Sequence, residues 1–155
     1  MSRRAAFVYS DVLSRHVLRE DHVMVPTRLR YTYELLESYG AFQRPNASLV
    51  EPRQATEEEL LTFHTQEYLN VVRSLNLGES RYNPAAYGFS EHGDNPVFSG
   101  MYEASAWSTG ASLVAAELIS KGESDVAFNC SGGLHHAMPG HASGFCIFND
   151  PVIAI

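Results

Sequence analysis

A chain of 155 residues is long enough for one hydrophobic core, since a globular chain of that size buries about 70% of its unfolded surface. Apolar residues make up 45% and charged residues 19%, ordinary soluble proportions, so a folded chain and not a disordered one is expected. Eleven Lys and Arg against eighteen Asp and Glu give a net charge of −7. With no basic cluster to offer phosphate a footprint, nucleic-acid binding is not expected. The acidic balance tolerates a cationic substrate and equally serves solubility alone.

Ser2-Arg3-Arg4 has the charge of a signal-peptide start, but the apolar run Ala5 to Tyr9 ends at Ser10-Asp11. That is too early for an apolar signal core, so a cytoplasmic protein is expected. No apolar stretch is long enough to span a bilayer, and no membrane partner is expected. Ala5 to Tyr9 itself reads as a buried strand. Pro26 marks a helix start, Leu29, Tyr33 and Leu36 follow at helical spacing, and Gly40 supplies a left-handed stop. Leu49-Val50 is a second short strand. Thr56 and Glu59 form a capping box, with Glu57, Glu58 and Glu59 suited to the positive end of the helix dipole. Thr65 caps a further helix through Tyr68, Val72 and Leu75, ending at Gly78.

From Gly78 to Pro96 the chain has little period and reads as a long loop, a kind that often carries function. A helix is expected from about Gly100 to Lys121. Its small residues Ala104, Ser108, Ala111 and Ala115 allow close packing on a sheet or a helix. Val126-Ala127-Phe128 is then a strand, and strand, helix, strand in that order points to a parallel α/β sheet. Asn149-Asp150-Pro151 reads as an N-cap with proline at the first helical position, and Val152 to Ile155 as its apolar first turn. The chain then stops without a polar face or C-cap, so it is expected to be a fragment interrupted within a helix starting near Pro151.

In open α/β sheets, ligands sit beyond the carboxyl ends of strands. His135-His136, introduced by Gly132-Gly133 just past Val126–Phe128, occupy such a place. Neighbouring side chains on an extended segment point apart, so the pair suits proton transfer better than joint chelation. An imidazole, with an ordinary pKa of about 6.5, can hold and pass a proton near neutrality. A catalytic zinc wants three protein ligands and an open position, and no HExxH or close Cys/His group supplies them. His92-Gly93-Asp94 offers two candidate ligands or merely a solvated loop. His64 and His141 read as core or surface histidines, and Cys130 and Cys146 as free packing thiols in a reducing compartment.

The string Ser131-Gly132-Gly133-Leu134-His135-His136-Ala137, followed by Ala142-Ser143-Gly144-Phe145-Cys146-Ile147-Phe148-Asn149-Asp150, closely resembles the signature of the zinc-dependent histone deacetylases of the class I type. Within that superfamily the bacterial acetoin utilisation proteins are the nearest in pattern. Phe7-Val8-Tyr9-Ser10, Pro26-Thr27-Arg28-Leu29-Arg30, Phe63-His64-Thr65 and Asp94-Asn95-Pro96 agree in family order.

The resemblance implies a three-layer αβα, mainly parallel, arginase-like fold, incomplete at the C-terminus. Residues 1–155 would then be the N-terminal part of one deacetylase catalytic domain. It implies zinc-dependent hydrolysis of an acetylated lysine side chain of a protein, or of a small acetylated amine. By position, His136 is the general base and then acid, and His135 its electrostatic partner. Gly144 offers its carbonyl to the substrate amide, Phe145 lines the lysine tunnel, Asp94 holds the substrate backbone, and Arg28 lies near the acetate exit. The family's zinc ligands, two Asp and one His, fall beyond Ile155. The chain by itself is therefore expected to be inactive and to hold no zinc.

Asp21-His22-Val23-Met24-Val25 departs from the family's His-Pro pattern before the first helix. Two alternatives stay open at this point: a non-catalytic acyl-lysine-binding module, and an acetylpolyamine amidohydrolase with the same chemistry.

Overall fold

The apolar run at the start of the chain forms β1 (Ala5–Val8), the middle strand of a three-stranded parallel sheet of order β2-β1-β3, with β2 at Ala47–Val50 and β3 at Val126–Phe128. Ala5 pairs with Ala47 on one side and with Val126 on the other. The computed structural model describes residues 3–79 and 81–155. Ser2, read above with Arg3 and Arg4, and Ser80 of the long loop lie outside the described residues.

The helices are α1 (Thr27–Ser38), α2 (Glu57–Leu60), α3 (Gln66–Asn76), α4 (Met101–Ser120) and α5 (Asp150–Ala154). Among the described residues no helix is long and apolar enough to cross a membrane.

Local signals set most of these boundaries. Pro26 stands just ahead of α1, and Gly40, at φ +66°, turns the chain away after it. The Thr56 hydroxyl accepts the Glu59 amide at 3.2 Å while the Glu59 carboxylate accepts the Thr56 amide at 2.7 Å, satisfying two amides that a helix start leaves over. Thr65 caps α3 in the same sense through the Tyr68 amide. The 78–96 stretch carries a 3-10 turn at Pro84–Tyr87 that the lack of period did not foretell, capped by the Asn83 side chain on the Ala85 amide.

Two packed clusters result. In one, Phe7 and Val8 of β1 and the following Tyr9 meet Leu13, Leu29 and Ala111. In the other, Tyr68, Leu69, Val72 and Leu75 of α3 meet Phe89, Met101 and Phe148. Helix α4 contributes to both and also packs on β1, β3 and α5. Its buried stripe is small and polar (Ser105, Ala106, Ser108, Thr109, Ala111). Such a stripe lets backbone come close: the Ala55 amide donates to Ala106 O at 2.9 Å, and the Ser108 hydroxyl reaches Ser131 O, just past β3, at 2.6 Å.

Candidate active site

Beyond β3 the chain does not stay extended. Gly133 takes φ +84°, the His135 amide folds back to Gly133 O at 2.9 Å, and His135-His136 lie in a turn. The expectation that the two side chains point apart is therefore corrected: their ring centroids are 4.2 Å apart with an interplanar angle of 40°. The extended geometry on which that expectation rested is broken by the turn. Both rings are exposed. Nδ1 of His135 lies 3.0 Å from Gly133 O. Because a carbonyl only accepts, Nδ1 carries the proton and Nε2 is left as the free acceptor.

The carboxylate of Asp150, 1% exposed, holds the approach to this turn. It accepts the amides of Gly133 at 3.0 Å and Leu134 at 2.7 Å, and the hydroxyl of Ser112. Burial pushes its carboxyl above the usual range, while Ser112 and the two amides pull it back. Asn149 holds the other side. Its Nδ2 donates to His135 O at 3.2 Å and Ala137 O at 2.8 Å, and its Oδ1 caps α5 through the Val152 amide. The adjacent residues Asn149 and Asp150 thus clamp the histidine turn from both ends. A side chain at Gly132 would meet Asp150 Oδ2 at 2.5 Å and Ser112 Oγ at 2.6 Å, so only glycine lets the loop reach the carboxylate.

Further along, Ser143 and Cys146 exchange backbone bonds at 3.1 and 2.8 Å across Gly144-Phe145. Both central residues have positive φ, +49° and +70°, the pattern of a type I′ turn. Phe145 is the only non-glycine residue in that region among those described, a strained placement of the kind that collects at functional sites. At Gly144 a Cβ would stand 2.9 Å from the His136 ring, so the ring rests on bare backbone. The Gly144 carbonyl accepts the Cys146 thiol at 3.2 Å, leaving its second lone pair for another donor. Phe145 and Leu134, together with His16, Phe98, Ser108 and Ile147, line a small cavity of about 50 Å³.

The structure therefore brings His135, His136, Gly144 and Phe145 together. Asp94 is itself exposed, on the 78–96 stretch, its carbonyl accepting from His22 at 3.0 Å. Arg28, on the first turn of α1, is exposed and is not among the cavity's lining residues. Its charge opposes, in part, the rise that burial imposes on the Cys130 thiol. Asp150, Asn149, Ser112 and His22 were not singled out from the sequence as site residues. For Asn149-Asp150, the helix-start pattern hid the second task.

A family model, the histone deacetylase domain, matches residues 22–155. The chain belongs to the histone deacetylase family. The acetoin utilization protein AcuC of Bacillus subtilis is 38% identical over 154 residues, which is 99% of this chain and 39% of that protein. The type-1 histone deacetylase 1 of Dictyostelium discoideum is 36% identical, and histone deacetylase 1 of Homo sapiens 35%, over 99% of this chain and 31% and 32% of those proteins. The crystal structure of a histone deacetylase homolog from Aquifex aeolicus superposes with a TM-score of 0.80 at 28% identity, over 98% of this chain and 40% of that one. The parallel sheet with its helices thus has the deacetylase fold. The chain spans between 29% and 39% of the length of the first curated relatives it matches.

Proposed function

We propose that this chain supplies the proton-transfer and tunnel-wall part of a zinc-dependent hydrolase of acetyl-lysine amides. The pairing of His135 and His136 at 4.2 Å beyond the carboxyl end of β3 carries the reading. Family membership and a relative that is an acetoin utilization protein support it.

Among the described residues no three His, Cys, Asp or Glu side chains come together to hold a metal. These residues do not by themselves make a zinc site. The zinc ligands are proposed to belong to polypeptide beyond residue 155, with this chain inactive alone.

The chain's own residues divide the remaining work. His136, seated on Gly144, takes a proton as water adds to the acetyl carbonyl. It returns that proton to the lysine nitrogen as the amide C–N bond breaks, and the acetic acid formed passes its proton to the amine, so that acetate and the ammonium form of lysine leave. His135, its Nδ1–H held by Gly133 O, presents Nε2 beside that exchange and spreads the developing charge. The Gly144 carbonyl takes the substrate N–H, the Phe145 face covers the lysine methylenes, and the Asp94 carboxylate takes a substrate backbone amide at the rim. Arg28 is assigned to the acetate exit on the family resemblance alone. The location is proposed to be cytoplasmic.

Fluorescence anisotropy of the 155-residue chain with matched peptides tests the reading. An acetyl-lysine peptide should bind at least tenfold more tightly than its unmodified form, with no turnover in the presence of added zinc. Equal affinity for the two peptides would overturn the substrate assignment. Chelator-sensitive turnover would overturn the placement of the metal ligands.

A further inference from the structure

His22 is 5% exposed, on the segment between β1 and α1. Its Nδ1 accepts the Met24 amide at 3.0 Å, so the ring proton sits on Nε2. Nε2 in turn lies 3.0 Å from the Asp94 carbonyl, 72 residues away. The same ring stands edge-on to Phe145, with centroids 5.3 Å apart and planes at 88°. Three residues earlier, Arg19 donates to the carbonyls of Glu91 at 2.8 Å and Gly93 at 3.4 Å, and pairs with Asp21. One short segment thus grips the backbone of residues 91–94 by three carbonyls, and none of these bonds uses the Asp94 carboxylate.

We propose that His22 is a positioning residue that sets the shape of the acyl-lysine entrance, by holding the Asp94 loop and the Phe145 ring at a fixed separation. The inference rests on the deacetylase reading for what the entrance admits, and on geometry alone for the link itself. Two contacts of different kind meet on one buried ring: a directional hydrogen bond to the loop and an aromatic edge contact to the wall. Displacing the ring moves both walls. Phe145 has little freedom to compensate, because its positive φ already places it in a narrow region of backbone space.

The test separates the donor from the ring. His22→Gln keeps an N–H directed at the Asp94 carbonyl, and His22→Phe keeps an aromatic edge against Phe145 without a donor. The readout is exchange of the Ser90 and Gly93 amides, bonded within the loop to Asn95 O at 2.9 Å and Ser90 O at 3.2 Å. The Val72 amide in α3 serves as the global reference. In His22→Phe the two loop amides should exchange at least tenfold faster with Val72 unchanged, and His22→Gln should restore them to within threefold of wild type. In the wild-type chain, long-range 15N–1H correlation should place the His22 proton on Nε2.

Loop exchange at the wild-type rate in His22→Phe, or a proton on Nδ1, would overturn the proposal; the wild-type measurement decides even if His22→Phe fails to fold. Acetyl-lysine peptide affinity should fall at least fivefold in His22→Phe and recover in His22→Gln. If loop exchange responds but the wild-type chain does not distinguish acetyl-lysine from lysine, the deacetylase reading fails while the link between His22 and the loop stands.

Discussion

The buried ring of His64 accepts the backbone amide of Asn149 through Nε2 at 3.0 Å, tying the start of α3 to the clamp that holds the histidine turn 85 residues later. Its Nδ1 faces Pro139 O at 3.3 Å, so both nitrogens are occupied as a neutral ring. Protonating Nε2 would break the bond to Asn149. Burial accordingly pulls the His64 pKa down from 6.5 to about 4.

A pH dependence follows, with a definite sign. The folded pKa lies below the unfolded one, so the unfolded chain takes up the proton first and acid favours unfolding. The contribution is fully present above about pH 6.5 and is lost as pH falls toward about 4, with a slope of at most about 1.4 kcal/mol per pH unit for each proton. His16, whose pKa burial also lowers, acts in the same direction. Glu57, held down to about 2 by Arg73 and Gln66, releases its contribution only below the ordinary carboxylate range. Urea unfolding between pH 5 and 6.5 should show the histidine slope, and His64→Gln should make it shallower. An identical slope in the variant would remove His64 from the account.

Asp150→Ala leaves the Gly133 and Leu134 amides without their acceptor in a part-buried place. Orphaned buried donors cost about 1–3 kcal/mol each; with both bonds only part-buried, a total toward the low end, about 2–4 kcal/mol, is expected in denaturant titration. The contact between the His135 and His136 rings should weaken with it, seen as loss of their mutual nuclear Overhauser effect. Preserved ring contact would mean that the turn is organised elsewhere.

Gly144→Ala places a methyl against the His136 ring and forces an L side chain to φ +49°. The backbone part alone costs about 1–2 kcal/mol, and the ring must move away from Gly144. Acetyl-lysine affinity should fall by more than the stability loss explains. Retained affinity would argue that the His136 ring does not face substrate.

Both thiols should be slow. Burial raises the pKa of Cys130 and Cys146 alike, and only the thiolate reacts. In the folded chain each should react with an aromatic disulfide reagent at least about tenfold more slowly than in urea. A fast-reacting native thiol would contradict the packing drawn around them.

Much of this architecture was legible in the sequence because its causes are local. A capping box at Thr56–Glu59, a left-handed glycine at position 40 and the Asn149 cap of α5 each need only neighbours within a few residues. The strand before the paired histidines was legible for the same reason, as was their place at a strand end. The relation between the two rings was not, because a hydrogen bond back to Gly133 O replaces extended backbone by a turn. Nor were the ties that fix the site. Asp150 reaches 16 and 17 residues back to two amides, His64 reaches across 85, and His22 across 72. Contacts of that range leave no periodicity, and an aspartate that begins a helix looks the same whether or not it also holds a loop.

The central claim is that the paired imidazoles face an acetyl-lysine side chain. Titration of 15N-histidine-labelled chain with an acetyl-lysine peptide, reading the ring nitrogens of His135 and His136, tests it most directly. Both should shift together and saturate at one peptide concentration, and an unmodified lysine peptide should leave them in place. Ring nitrogens that stay still while the peptide binds elsewhere would contradict it.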